Sequence, residues 1–301
     1  MRMTDRIVDI SDTASFLKVR NRQLIISVPG RKEITTPLEE TSVLLLSNPA
    51  ASLTLPVLST LASLGKITVV CNKNYLPVGM MLPLEGHHSQ IPRFSLQVSV
   101  NLPVKKRLWQ QIVQSKIKFQ SEMLKKLYKK TFGIDQMIKR VKSGDKSNVE
   151  AHAAQRYWKR VFGDAGFRRK RDAEDQNRLL NYGYTVLRAA AARSICAAGL
   201  HPSFGLHHHN QYDNFCLASD LMEPFRPKID YVTAKIVKKK GKTVELDKNI
   251  KAKLTGVLET RVRINKEKLT ITEALFRLSN SLVEVFQKKR DRVILPERLF
   301  L

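Results

Sequence analysis

The densest set of side chains able to do chemistry lies between His201 and Asp230, in the stretch GLHHHNQYDNFCLASDLMEPFRPKID. It holds His207, His208 and His209, then Asp213, Asp220 and Glu223. Asp220 and Glu223 stand three apart, so on a helix they share a face and could present two carboxylates to one cation. Pro224 follows at once, and proline is best tolerated in a first helical turn. That placement puts Asp220 at or near a helix start and keeps a second reading open, with Asp220 as N-cap and Glu223 closing a capping box. Three consecutive histidines on a loop cannot easily ligate one ion together. A closed zinc site asks for His and Cys at tetrahedral spacing. A mixed histidine–carboxylate set beside a basic surface better suits Mg²⁺ or Mn²⁺ acting on phosphates.

A further carboxylate, Glu150, opens the stretch NVEAHAAQRYW. Ser147 and Glu150 fit the S-x-x-E capping pattern, which is the structural alternative for it. Ala151, Ala153 and Ala154 leave room beside the carboxylate in a strongly basic part of the chain. Such a carboxylate would bind an arginine or a metal, and spacing alone does not separate the two.

The elements that must position these residues suggest an α+β chain, an N-terminal β-rich domain followed by a larger, mostly α-helical one. Leu24, Ile26 and Val28 alternate with polar residues after the turn-like Asn21-Arg22, and Val43–Leu46 and Ile67–Cys71 are short apolar runs. Leu53 to Gly65 has helical spacing and ends on a glycine. Pro77, Pro83, Gly86, Pro92 and Pro103 then interrupt regular structure. The boundaries are therefore set at 1–90 for the β-rich domain, 91–104 for a proline-containing linker and 105–301 for the helical domain. From about residue 105, Trp109, Ile112, Val113, Ile117, Leu124 and Leu127 form one helical stripe. Lys116, Lys118, Lys125, Lys126, Lys129 and Lys130 take the remainder, as a solvated or anion-binding face. Further helices are expected near 148–162, 172–198 and 270–287, the last opened by a Thr270–Glu273 capping box.

The 301 residues carry 53 Lys+Arg against 27 Asp+Glu, a formal charge of +26. Residues 1–90 hold only +2 of it and residues 91–301 the other +24. A field of that size recruits polyanions, with nucleic acid the leading partner. The 43% hydrophobic content excludes a disordered basic tail. Three scattered cysteines exclude a disulfide framework and suit a reducing compartment. No apolar run is long enough to span a membrane. Asp5, Asp9 and Asp12 stand where a secretory leader would be apolar. A cytoplasmic protein without membrane attachment is expected.

Four stretches together, NVEAHAAQRYW, RDAEDQNRLLNYGYTVL, GLHHHN and SDLMEPFRPKID, occur in order over about 80 residues. Their series resembles the CRISPR-associated integrase of spacer acquisition, a metal-dependent DNA endonuclease and integrase. Length and the EPFRP form are similar to versions from type II systems, and the likeness extends over essentially the whole chain. The resemblance implies metal ligands at Glu150, at His208 (three after Gly205) and at Glu223, the second acid of a D-x-x-[DE] pair. Many members have aspartate at that last position. Asp220 is then an orienting or capping residue, and His207 and His209 stay unassigned.

The implied chemistry is phosphoryl transfer with Mg²⁺ or Mn²⁺, in which a DNA 3′-hydroxyl attacks a repeat phosphodiester. His208 must be neutral to ligate, so metal occupancy falls with pH through its titration. Lys125, Lys126, Arg168, Arg169, Lys170 and Arg171 are candidate phosphate contacts on double-stranded DNA. Family likeness also implies a homodimer with contacts from the strand domain and a complex with the small second spacer-acquisition protein. The RNA-guided effector nuclease is a further candidate partner. Two rival readings remain: a metal-dependent nuclease that cuts without integrating, and a non-catalytic basic nucleic-acid-binding protein whose carboxylates are caps.

Overall fold

The computed structural model describes residues 6–11, 13–72, 77–170 and 173–300. Contacts divide the chain into two compact units, Met1–Gln90 and Ile91–Leu301. The first is built from strands. β1 (Arg6–Ile10), β2 (Phe16–Arg20), β3 (Gln23–Ser27), β4 (Ile34–Pro37), β5 (Thr41–Leu46) and β6 (Ser52–Leu53) precede α1 (Leu55–Ser63), β7 (Ile67–Cys71) and β8 (Pro77–Met81). One sheet has the order β1-β5-β7-β8 and the other β4-β3-β2-β6. Asn21 and Arg22 both take positive φ, 51° and 58°, which lets a two-residue turn match the twist of β2 and β3. β5 and β7 run parallel, so the chain between them needs a crossover, and α1 supplies it. Leu17, Leu24, Leu38, Leu44, Val57 and Leu61 are fully buried together, joining strands of both sheets and α1 in one core.

The second unit is mostly helical. It comprises α2 (Gln90–Ser99), α3 (Leu102–Tyr128), α4 (Val149–Val161), α5 (Asn177–Ala197), α6 (Cys216–Met222), α7 (Arg226–Lys240), α8 (Lys248–Thr255) and α9 (Ile271–Phe286). A small sheet of β9 (Arg261–Ile264), β10 (Glu267–Thr270) and β11 (Arg298–Leu299) accompanies them. Together the two units make the α+β class expected from the sequence. The Thr270–Glu273 capping box forms at the head of α9. No helix among the described residues is long and apolar enough to cross a membrane.

Residues 91–104 are not the irregular linker that their prolines suggested. α2 occupies most of the segment, and α3 begins at Leu102 with Asn101 as its N-cap. Pro103 falls in the first turn of α3, where a missing N–H leaves nothing unsatisfied. α5 lies at the centre of the unit, with Leu179, Leu180, Tyr182, Leu187, Ala189, Ala192 and Ile195 all buried. Gly183 brings it against α7, since a Cβ there would stand 2.5 Å from Ile229 Cγ2.

A polar knot ties three of these helices. Asp230 on α7 is 1% exposed and accepts hydrogen bonds from Tyr157 on α4, at 2.6 Å, and from Tyr184 on α5. Burial pushes its carboxyl up to about 6, against the lowering effect of the two tyrosine hydroxyls and of Arg226 and Arg169. The folded chain therefore holds this proton more tightly than the unfolded chain, and the associated stability is present in acid and lost as pH rises through about 6. Asp230→Asn keeps the shape and removes the titration. Its unfolding free energy relative to the parent should rise by on the order of 3 kcal/mol between pH 4 and pH 7. A denaturant series in which that difference stays flat would contradict this account.

Candidate functional site

The predicted chemistry converges within the helical unit. Glu150 lies in the first turn of α4, and Glu223 in the single 3-10 turn Glu223–Phe225 that joins α6 to α7. The two side chains face one ammonium: Lys116 Nζ on α3 is 2.6 Å from Glu150 Oε1 and 2.6 Å from Glu223 Oε2. Arg226 Nη1 takes the other oxygen of Glu223 at 2.5 Å and stacks over the Tyr184 ring, 4.2 Å from its centroid. Burial alone would raise the Glu223 carboxyl, but the charges and hydrogen bonds of Arg226 and Lys116 outweigh it and hold it at about 2. Burial likewise opposes the charge on Lys116, while Glu223 and Glu150 keep its pKa above the ordinary lysine value.

His208 sits on the loop before α6. Its Nδ1 is 2.5 Å from Asp220 Oδ1, and this bond, with the field of Asp220, Glu223 and Glu150, raises its pKa against the lowering effect of burial. With Nδ1–H given to Asp220, a neutral ring presents Nε2 as its free lone pair. His207 stacks flat on Trp109 at 4.3 Å, and burial lowers its pKa. Trp109 also meets the His208 ring edge-on at 5.5 Å.

Two capping readings of the sequence are corrected. Asp220 is not an N-cap, because α6 starts at Cys216 and Asp220 lies within it, fully buried. Pro224 does stand in a first turn, that of the 3-10 segment Glu223–Phe225, but this segment follows α6, so Asp220 is no helix start. Asp220 instead anchors the histidine loop: Oδ2 accepts from the N–H groups of Leu206 at 2.6 Å and His207 at 3.0 Å. Glu150 and Ser147 form no capping box either. Asp145 does the capping, its Oδ1 and Oδ2 accepting from Val149 N at 3.0 Å and Glu150 N at 2.9 Å. Both candidate acids are thus free of capping duty.

The donor set suits a hard divalent cation. Two carboxylates already converge on one positive charge, and the carboxylate-backed His208 imidazole lies within the electrostatic reach of both acids. Among the described residues no three His, Cys, Asp or Glu side chains stand together as a ready cage, and the point between the acids is taken by Lys116. Lys116 was placed on the solvated face in the sequence, but it is only 9% exposed. Its spacing held the signal, since it follows Trp109 by seven, Ile112 by four and Val113 by three, all buried residues of one stripe.

Comparison with known proteins settles the family. The pattern of the family described as CRISPR associated protein Cas1 matches residues 8–264. The chain is 34% identical to the CRISPR-associated endonuclease Cas1 of Neisseria meningitidis serogroup C (strain 8013), over 94% of this chain and 93% of that protein. The chain belongs to the Cas1 family. Its fold is shared by a casposase bound to integration product (TM-score 0.77, 19% identity, 98% of this chain and 92% of that one). The same fold is found in a Cas6-RT-Cas1–Cas2 complex (TM-score 0.78, 18% identity), where this chain is matched over 97% of its length and spans 36% of the other.

In this Cas1 protein, Lys125 and Lys126 on α3 are exposed, as are Arg168 and Lys170 in the segment before α5. Arg169 turns inward, donating to Asn177 Oδ1 at 2.9 Å and Asn181 Oδ1 at 2.6 Å. Arg171 lies outside the described residues. His209 is exposed.

Gly205 is where the histidine loop comes closest to α6. A Cβ there would stand 2.3 Å from the His208 carbonyl oxygen, 2.9 Å from Cys216 Cβ and 3.1 Å from Asp220 Oδ2. Gly205→Ala must therefore push the loop away from Asp220, and overpacking of this kind costs about 1–3 kcal/mol. A lower denaturation midpoint is expected; an unchanged midpoint would contradict the close approach.

Proposed function

We propose that this Cas1 protein is the integrase of CRISPR adaptation, a metal-dependent enzyme that joins spacer DNA to the repeat array by transesterification. The observation that supports this most is the convergence of Glu150 and Glu223 on a single cationic point, 2.6 Å from each, beside an Asp220-backed His208. Glu150, Glu223 and Nε2 of His208 would hold one Mg²⁺ or Mn²⁺. When bound, that ion supplies Lewis-acid stabilisation of charge on the reacting phosphate.

The chain's own residues supply the rest. Asp220 fixes the histidine ring and its tautomer, so that Nε2 remains an acceptor. Arg226 holds Glu223 in place from the side away from Lys116. The exposed Lys125, Lys126, Arg168 and Lys170 would grip DNA phosphates without reading sequence. In the reaction a 3′-hydroxyl oxygen forms a new bond to the repeat phosphorus and loses its proton to solvent. The bond to the leaving 3′-oxygen breaks, and that oxygen takes a proton. Water in place of the hydroxyl gives a nick. The partners fit the same reading: duplex spacer precursor and repeat DNA, a second copy of this chain through the strand unit with its small net charge, and a Cas2 protein such as accompanies Cas1 in the related complex. The RNA-guided effector nuclease would feed DNA to this assembly.

Strand transfer of short duplex DNA into a supercoiled repeat-bearing plasmid tests the reading. Glu150→Gln, His208→Ala and Glu223→Gln should each lower the rate by on the order of 100-fold with Mg²⁺ or Mn²⁺, with duplex affinity retained. A dideoxy 3′ end should abolish joined products in the parent. Parental rates in all three variants would refute the site, and products indifferent to the blocked end would refute transesterification.

A further inference from the structure

Lys116 is a buried cation: the packed stripe of α3 accounts for its burial, but not for an ammonium placed between two carboxylates. Its Nζ lies 2.6 Å from one oxygen of each acid that the function above assigns to a divalent ion, and its side chain is 11% exposed. A hard cation needs those same oxygens at roughly 2.0–2.6 Å, and an ammonium cannot share the point with it. Charge points the same way. Glu150 and Glu223 are balanced here by Lys116 and Arg226 (one positive group for each carboxylate), so the cluster is neutral as it stands. A divalent ion added beside a stationary Lys116 would leave two positive charges in excess over these two carboxylates, against the buried Glu223. Of the two cations, Arg226 is fixed by Glu223 Oε1 and the Tyr184 ring, whereas Lys116 hangs on a flexible four-carbon stem from α3.

We propose that Lys116 is a resident counter-ion that holds Glu150 and Glu223 together in the metal-free protein and is expelled when the divalent ion binds. It is a positioning residue: it preserves the geometry of the acids, and it sets a threshold of metal concentration below which the site stays closed. This rests on the metal-site reading above and adds a competition to it.

The test is Mn²⁺ binding to the full chain, followed by titration calorimetry and by the paramagnetic signal of free Mn²⁺. Lys116→Met should bind Mn²⁺ at least tenfold more tightly than the parent. Without metal it should melt at a lower temperature, because Glu150 loses its cation. Saturating Mn²⁺ should raise its melting temperature more than the parent's. In the parent itself, acetylation of Lys116 by acetic anhydride, read by peptide mass, should be slow without metal and speed up several-fold at saturating Mn²⁺. This second measurement decides the matter if Lys116→Met does not fold. Equal or weaker Mn²⁺ binding by a folded Lys116→Met, or acetylation unmoved by bound Mn²⁺, would overturn the displacement while leaving the metal site standing. Absence of Mn²⁺ binding to the parent would overturn both.

Discussion

The helical unit is organised around charges that are buried or half-buried. Glu150, Glu223, Lys116, Arg226 and Asp230 come from α3, α4, α7 and the turn before α7, and none is a close sequence neighbour of all the others. Each would be costly alone in the interior. They become tolerable only when the helices close and every carboxylate meets a donor. Arg226 connects two tiers of this arrangement, pairing with Glu223 on one side and lying over Tyr184 on the other, whose hydroxyl donates to Asp230. Folding and site assembly are therefore one event, and the acids are pre-set before any ligand arrives.

The histidine reaches the site by a different route. It lies on a loop, where backbone groups lack helical partners, and a buried carboxylate replaces those partners. Asp220 accepts from the N–H groups of Leu206 and His207 and from the His208 ring, while Gly205 lets the loop pass close to α6. Trp109 closes the other side by stacking on His207. The two acids are thus held by side-chain cations, and the His208 ring by hydrogen bonds to a buried carboxylate.

Much of this was legible in the residues. Period two gave way to period 3.6 near residue 105, which separates strands from helices. The motif series that carries the resemblance contains Glu150, His208, Asp220 and Glu223, and the structure pairs Glu150 with Glu223 on Lys116 and His208 with Asp220. Lys116 was missed because a lysine in a lysine-rich helix reads as solvated, although its i+3, i+4 and i+7 relation to Val113, Ile112 and Trp109 puts it on the buried face. Asp145 was missed because Ser147 and Glu150 offered a more familiar capping pattern. The Asp220 reading failed for a local reason: Pro224 opens only a 3-10 turn, and a separate helix, α6, already runs up to it. Pro92 and Pro103 sit at helix starts rather than in a linker.

The central claim is that Glu150, Glu223 and His208 form one divalent-ion site. An anomalous-scattering map from crystals of the full chain grown with Mn²⁺ tests it most directly. A single strong peak within ligand distance of one carboxylate oxygen from each acid and of His208 Nε2 is the predicted result. A peak held by other residues, or by only one of these three, would contradict it.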